Sequence, residues 1–509
     1  MLRTIYGKGL KGPGDPGLLT LKAKECIEKA NVIVYDYLAN QAFLDYADGK
    51  ADLIYVGKKG GCHTMSQHDI NRLIVDRARN GLTVVRLKGG DPFIFGRGGE
   101  EAQELANAGV SFEIIPGVTS AIAAPAYAGI PLTHRGYTSA VAFITGHEDP
   151  SKEKSDIAWD KLATGAGTLI FLMGVRNLPQ IAKTLMKHGR SPETPVAIIQ
   201  RGTVAEQKTI VGVLQDIAEK VRKEGVEPPG IIVVGDIVNL RKELIWFEKR
   251  PLFGRRIVVT RAREQASSFL AGLSQLGAEC IEFPTIEIIP PESWRELDKT
   301  IHSLEDYQWL LFTSVNGVKY FFQRLETLEK DVRDLKGIKI GAIGPKTAEA
   351  IHKKGIRPDM VPDEYRAEAM VEAFKRLETE ALRILLPRAA QAREILSQEL
   401  EKMGARVDVV EAYRTVTPDG DRDRIKEMLE RGEINMITFT SSSTVKNLVE
   451  MFEPGDDQFQ RWMKNVAVAC IGPITAQTAE EKGLSVSLIP AEYTIEALTN
   501  AIVQYFSTH

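Results

Sequence analysis

The segment Arg86-Leu87-Lys88-Gly89-Gly90-Asp91-Pro92-Phe93-Ile94-Phe95-Gly96-Arg97-Gly98-Gly99-Glu100 decides how the first half of the chain is read. It continues the run Val84-Val85-Arg86-Leu87, which reads as a buried strand, and breaks it with a Gly-Gly-Asp turn. Glycine lets backbone approach a ligand closely, because no Cβ intervenes. Pro116-Gly117-Val118-Thr119-Ser120-Ala121 opens a small-residue helix in the same manner, and Gly12-Pro13-Gly14-Asp15-Pro16-Gly17 precedes a helix expected from about Thr20. Three such turns at strand ends would line one crevice, where open α/β sheets hold ligands. None ends in Gly-Lys-Ser/Thr and none reads G-x-G-x-x-G, which disfavours a triphosphate loop and a dinucleotide fingerprint.

Working outward, Val32-Ile33-Val34-Tyr35 and Ile231-Ile232-Val233-Val234 read as further buried strands. Residues 66–80 carry Ile70, Leu73, Ile74 and Arg77 at helical spacing, so the chain is α/β nearly throughout. At roughly 150 residues per domain, 509 residues imply several domains. The 65 Lys and Arg against 68 Asp and Glu exclude a global basic field for nucleic acid or anionic membrane. Four scattered cysteines predict reduced thiols. No apolar run approaches the ~20 residues of a membrane span, and the N-terminus lacks a signal-peptide core, so a cytoplasmic protein is expected. Cys62, His63 and His68 fall short of a zinc ligand set, and no metal is expected.

The texture changes at 247–254, taken as a junction, and beyond it the chain repeats itself. Thr260-Arg261-Ala262 returns as Pro387-Arg388-Ala389 and Phe312-Thr313-Ser314 as Phe439-Thr440-Ser441, both 127 residues later. Ile343-Gly344-Pro345-Lys346-Thr347 returns as Ile471-Gly472-Pro473-Ile474-Thr475 at 128. Ordered matches at one offset predict two similar α/β lobes with a cleft between them. Pro345 splits the Gly-Lys pair of a phosphate loop, and Ile474 replaces Lys346. What both copies keep is Gly, Pro and Thr at a helix start, an anion grip or, alternatively, a helix cap. No repeated Ser-His-Asp or Cys-His set supports hydrolysis.

GPGDPGLLTLK, VYD, VGK, RLKGGDPFIFGRGGEE and PGVTSAIAAPAYAGIPLTHR, with the later MG and GT, resemble the uroporphyrinogen-III C-methyltransferases of the tetrapyrrole methylase family over about 12–247. The resemblance implies a two-lobed methylase fold, S-adenosylmethionine as methyl donor and a homodimer formed through this half. It places Pro13, Gly89, Gly90, Asp91, Ile94, Thr119, Ser120, Met173 and Gly202 at the cofactor, and Asp36 and Lys58 in acid/base roles. Read without the family, Asp36 is equally a strand-end turn residue and Lys58 a solvated lysine. His134 and Arg135 are candidates for substrate carboxylates, or a capped loop. One departure stands out: Leu10 and Lys11 replace the family's glycine and alanine, and Gly7 and Gly9 are expected to interrupt the first strand and alter cofactor affinity.

TRAREQASSF, FTSVNGV, IGPKTAEA, LLPRAA, AYRT, FTSSSTV and IGPITAQTAEE together resemble uroporphyrinogen-III synthase over about 255–509. The resemblance implies one lobe of 255–287 with 413–509 and another of 288–412. It puts Ser314, Thr347, Ser441 and Thr475 on substrate-facing positions and makes Tyr413 the candidate for assisting departure of a hydroxyl; the bland reading of Tyr413 is a half-buried, hydrogen-bonded tyrosine. The domains expected are therefore a methyltransferase at 1–247, a linker at 248–254 and a synthase at 255–509. Together they would cyclise hydroxymethylbilane to uroporphyrinogen III and methylate it at C2 and C7 to precorrin-2. The alternative is a methylase of a later precorrin fused to a non-catalytic two-lobed regulator.

Overall fold

Alternation of β-branched runs with capped helices is realised, in the computed structural model, as four five-stranded sheets among the described residues. Those residues are 4–9, 14–37, 40–57, 65–148, 155–261, 263–362, 367–377, 382–390, 395–416, 422–452 and 457–508, with only backbone described at 4–9, 41, 263–267, 367 and 457. The chain divides into two compact units, 1–256 with 272–279 and 506–509, and 257–271 with 280–505.

In the first unit, β1 (Thr4–Gly9), β2 (Val32–Tyr35), β3 (Asp52–Tyr55), β4 (Val84–Gly89) and β5 (Phe112–Ile114) pair in parallel in the order β3-β2-β4-β1-β5. Alternate residues enter opposite cores, as the pleat requires. Ile33, Val85 and Leu87 pack with Ile27, whereas Val32, Val34 and Val84 pack with Ile70, Ile74 and Ala78. Burial on both faces accounts for the continuous apolar runs. The helix Gln67–Arg79 starts where Ser66 Oγ accepts from Asp69 N at 3.2 Å. The expected interruption of the first strand does not occur: β1 runs unbroken between β4 and β5, with Gly9 opposite Gly89. A central position with a ladder on each edge outweighs glycine's weak strand preference.

A second sheet follows, of β6 (Val141–Thr145), β7 (Thr168–Leu172), β8 (Pro195–Gln200), β9 (Lys208–Val213) and β10 (Gly230–Val234), in the order β6-β7-β10-β8-β9. Here β6 and β7 are parallel and the other pairs antiparallel.

The remaining strands are β11 (Arg256–Val259), β12 (Glu279–Glu282), β13 (Glu287–Ile289), β14 (Trp309–Phe312), β15 (Lys339–Ala342), β16 (Arg383–Ala389), β17 (Arg406–Val416), β18 (Met436–Phe439), β19 (Ala467–Cys470) and β20 (Val486–Leu488). One sheet has the order β12-β11-β18-β19-β20 and the other β13-β17-β16-β14-β15. Each sheet draws strands from both copies of the sequence motifs, so neither is one copy folded on itself. The pair Ile257↔Met436 in the first has its counterpart in Ile384↔Trp309 in the second, each residue displaced by the 127 of the sequence matches. Phe312 and Phe439, the same distance apart, are both fully buried.

Candidate active sites

Helix Ser120–Tyr127 is where the glycine-rich turns of the first half meet. Its cap is the buried Thr119, whose Oγ1 accepts from Ala121 N at 3.3 Å. Beside it, Gly90 holds φ +77°, and a Cβ there would lie 3.8 Å from Thr119 Cα and 3.9 Å from Ser120 N. That left-handed backbone reserves the position for glycine. One turn further, Gly202 packs so closely that a Cβ would sit 2.5 Å from the Ala124 methyl. At the last turn, Tyr127 donates its hydroxyl to Asp15 Oδ2. Positions 120, 124 and 127 share one helix face, so a single face gathers three turns distant in sequence.

Carboxylates lock these turns together. Asp91 accepts from Phe93 N at 2.9 Å through Oδ1 and from Gly117 N at 2.8 Å through Oδ2, which joins two of them directly. Asp15 N donates to Thr203 Oγ1 at 3.0 Å, and Asn40 Nδ2 donates to Gly14 O at 3.2 Å. Burial, then the Asp15 carboxylate, pushes the Tyr127 phenol well above its ordinary range. Asp15, Tyr127 and Thr203 were passed over as site residues although all three lie in the quoted motifs. The signal for Tyr127 is its seven-residue spacing from Ser120.

Asp36 follows β2 and is bonded by Arg86 of β4, Nη2 to Oδ2 at 2.8 Å. Arg86 is 3% exposed, and its Nη1 donates to Val34 O at 3.3 Å and Leu87 O at 3.0 Å. Lys88, two residues on, reaches Glu101 Oε1 at 2.8 Å, and Arg86 Nε lies 3.5 Å from the same oxygen. Burial, reinforced by the neighbouring Arg86, pushes the Lys88 ammonium below its usual range, against the pull of Glu101. The strand reading of Val84–Leu87 identified this element, but polar residues inside a buried strand were the missed sign of a charge network.

In the second half, Ser314 caps helix Val315–Thr327, its Oγ accepting from Gly317 N at 2.9 Å, and the same oxygen is 2.9 Å from Tyr413 OH. Tyr413 is buried, with its ring stacked on Tyr320 at 5.9 Å, and Tyr320 OH donates to Ile288 O at 2.8 Å. Burial raises the Tyr413 phenol, and the Ser314 bond works the other way. Ser441 caps helix Ser442–Met451 with nearly the backbone angles of Ser314, but its Oγ has Ser443 Oγ, at 2.9 Å, as its side-chain partner. Thr347 and Thr475 are not caps. Gly344 and Gly472 occupy those positions, and both threonines are buried in the first turn of helices Pro345–His352 and Pro473–Glu481. A proline at the first helical position leaves the glycine before it as the cap.

Comparison with known proteins assigns both halves. A family model described as tetrapyrrole (corrin/porphyrin) methylases matches residues 5–218, and one described as uroporphyrinogen-III synthase HemD matches 267–500. A porphyrin biosynthesis protein HemD of Ruminiclostridium josui is 34% identical over 493 residues, covering 97% of this chain and 96% of that protein. The chain belongs to the tetrapyrrole methylases fused to uroporphyrinogen-III synthases. A uroporphyrinogen-III C-methyltransferase of Bacillus subtilis (strain 168) is 43% identical over 353 residues, covering 68% of this chain and 72% of its own. An S-adenosyl-L-methionine-dependent uroporphyrinogen III methyltransferase of Methanosarcina barkeri (strain Fusaro / DSM 804) is 56% identical over 238 residues, covering 46% of this chain and 93% of its own. The fusion thus carries a uroporphyrinogen-III C-methyltransferase domain and a uroporphyrinogen-III synthase domain.

In the methylase half, Gly90 and Gly202 come against the helix that Thr119 caps and Ser120 opens, Gly89 ends β4 just before Gly90, Asp91 bonds Gly117 ahead of that helix, and Ile94 follows half-buried in the same loop. Met173 stands at the end of β7 with φ +58° and is 55% exposed. His134 and Arg135 are exposed in a tight loop, where Gly136 N donates to His134 Nδ1 at 3.1 Å. Pro13 and Lys58, with Leu10, Lys11, Cys62 and His63, lie outside the described residues. In the synthase half, Ser314 and Tyr413 are brought into contact. Thr347 belongs with them near the end of β15, whereas Ser441 and Thr475 follow β18 and β19 of the other sheet.

Proposed function

We propose that the synthase half cyclises hydroxymethylbilane to uroporphyrinogen III, and that the methylase half transfers two methyl groups to it, at C2 and C7, giving precorrin-2. The observation that carries the methylase reading is the convergence of the Gly90, Gly202 and Asp15 turns on one face of helix Ser120–Tyr127. The fit to S-adenosylmethionine rests on this cradle: Gly90 is left-handed and Gly202 has no room for a side chain against Ala124, so bare backbone would be offered to the adenosyl group. Gly89, Gly90, Asp91, Ile94, Thr119, Ser120, Met173 and Gly202, with Pro13, would hold it. When bound, it supplies a methyl group already activated by a sulfonium centre. The protein's own tasks are then alignment of the tetrapyrrole carbon at about 3–3.5 Å, exclusion of water and removal of a proton. Asp36 is the base in this reading, Lys58 its proton-handling partner, and His134 and Arg135 receive substrate carboxylates.

In the synthase half, Tyr413 donates its phenolic proton to the departing hydroxyl of the bilane, which leaves as water. The burial that raises its phenol keeps it in the donor form at neutral pH, and Ser314 is placed to stabilise the oxygen that has given up its proton. Ser441, Thr347 and Thr475 bind the substrate's carboxylates and hold the ends for closure.

The domains assigned to these activities are 1–247 and 255–509, joined by 248–254; the synthase lobes expected at 255–287 plus 413–509 and at 288–412 meet within β17, which carries Tyr413 in the sheet of β14. A homodimer through the methylase half is part of the proposal. It is supported by exposed Phe93 and Phe95, the latter lining a groove of about 530 Å³ with Phe143 and Leu162. No described helix is long and apolar enough to cross a membrane, and we place the enzyme in the cytoplasm. The test is incubation of the full chain with uroporphyrinogen III and S-adenosylmethionine, with methyl groups counted by mass. Two are expected; a substrate already methylated, accepted in preference, would move the enzyme to a later precorrin.

A further inference from the structure

The inference concerns the buried charges behind Asp36, and it rests on the proposed role of Asp36 as the base of methyl transfer. Arg86 is a residue of a central strand, yet its guanidinium makes three directed bonds. One goes to Asp36 Oδ2 at 2.8 Å, and two go to backbone carbonyls, Val34 O in β2 and Leu87 O in β4. Its orientation is therefore set by the frameworks of two paired strands and not by a loop. On its Nε edge stands Glu101, 1% exposed, whose Oε1 also receives Lys88 Nζ at 2.8 Å and Gln67 Nε2 at 2.9 Å. Two acids and two bases thus balance in charge. Glu101 Oε2 and Arg86 Nε are nevertheless buried without a hydrogen bond. Such a network is a poor source of stability, because an apolar core of the same volume does as well or better. Fixed direction is what it provides.

We propose that Arg86 is a positioning residue for methyl transfer, clamping the Asp36 carboxylate to the backbone of β2 and β4 while Glu101 and Lys88 brace the guanidinium. A planar fork is needed for this; a lysine carries the charge but cannot bond a carboxylate and two carbonyls at fixed angles. Among the described residues, the other ionisable groups around Asp36 include Lys88, Tyr35 and Tyr37 beside it in the chain, and Tyr55 on β3. The Tyr55 phenol is raised by burial and by the Asp36 charge.

The test uses the full chain and the variants Arg86→Lys, Asp36→Asn and the two combined. Arg86→Lys is expected to lower kcat for methylation by about 10²-fold, the scale of a misplaced catalytic group. Binding of S-adenosylmethionine and KM for uroporphyrinogen III should be unchanged. The double variant should be no slower than Asp36→Asn, because the clamp acts only through that carboxylate. A wild-type rate for Arg86→Lys, or losses that multiply in the double variant, overturns the clamp while Asp36 keeps its role. A wild-type rate for Asp36→Asn removes the base assignment and the clamp with it. If Arg86→Lys fails to bind S-adenosylmethionine, Glu101→Gln decides. It leaves the volume intact, and a lower kcat at unchanged KM is expected, with no further loss when Asp36→Asn is added; a wild-type kcat rejects the clamp.

Discussion

In the methylase half, the carboxylate after β2 is bonded to a buried guanidinium, and three turns far apart in sequence are tied by Asp15, Asp91 and Thr203. In the synthase half, the Tyr413 phenol touches one serine hydroxyl and a neighbouring ring, among cap residues that are neutral. The difference follows the chemistry each is proposed to carry out. Carbon methylation must align a donor and an acceptor and then remove a proton, so charge and rigid backbone are placed at the site. Ring closure of a flexible chain that loses water asks for a proton donor and a held conformation, which hydroxyls and helix starts supply. A site made of ion pairs and one made of hydroxyls should therefore break in different ways.

The largest effect is expected from Tyr413→Phe, which deletes the donor. Cyclisation should slow by about 10²–10⁴-fold, the usual contribution of a general acid, with methylation of supplied uroporphyrinogen III unchanged. A normal cyclisation rate would make Tyr413 structural. Asp91→Ala comes next. It frees two backbone N–H groups from a carboxylate, an interaction of about 1.5–3 kcal/mol for each charged hydrogen bond, so S-adenosylmethionine binding by calorimetry should weaken by about two orders of magnitude. Cyclisation by the same sample serves as the control.

The pH profiles sharpen the contrast. The protonated Tyr413 is the active form, and burial raises its phenol from 10, so the alkaline limb of cyclisation should lie above pH 10. An alkaline limb below pH 9 in steady-state rates would point to another group. The smallest effect concerns the two serine caps. Ser441→Ala should cost about 1 kcal/mol in denaturant unfolding, the value of one cap, whereas Ser314→Ala should cost a similar amount and also slow cyclisation. Equal catalytic losses from both would erase the distinction between the two sheets.

Much of this was legible beforehand. The runs at 32–35, 84–87 and 231–234 became strands because two-faced burial leaves an apolar signature that needs no tertiary information. The Gly-Gly-Asp and Pro-Gly-Val-Thr-Ser turns were legible as close-approach points, since φ near +77° at Gly90 is a local demand. Three things were hidden. The strand at 4–9 looked broken because its stability comes from ladders on both sides, which pattern alone does not display. The ion pairing of Arg86 and Glu101 depends on burial, which is a property of the packed sheet. Thr347 and Thr475, read as an anion grip or alternatively a helix cap, lie inside their helices, and Gly344 and Gly472 hold the cap positions ahead of each proline. The strand orders interleave the two copies of the sequence motifs, as the lobe bounds implied by the resemblance already do.

The most direct test supplies the full chain with hydroxymethylbilane and isotopically labelled S-adenosylmethionine and identifies the tetrapyrrole formed. Two catalytic units acting in succession predict a cyclic product carrying two labelled methyl groups. In the Tyr413→Phe variant that product should vanish from hydroxymethylbilane and return in full when uroporphyrinogen III is supplied. Labelled product from the variant at the normal rate without that addition, or no label incorporated even with it, would contradict the account.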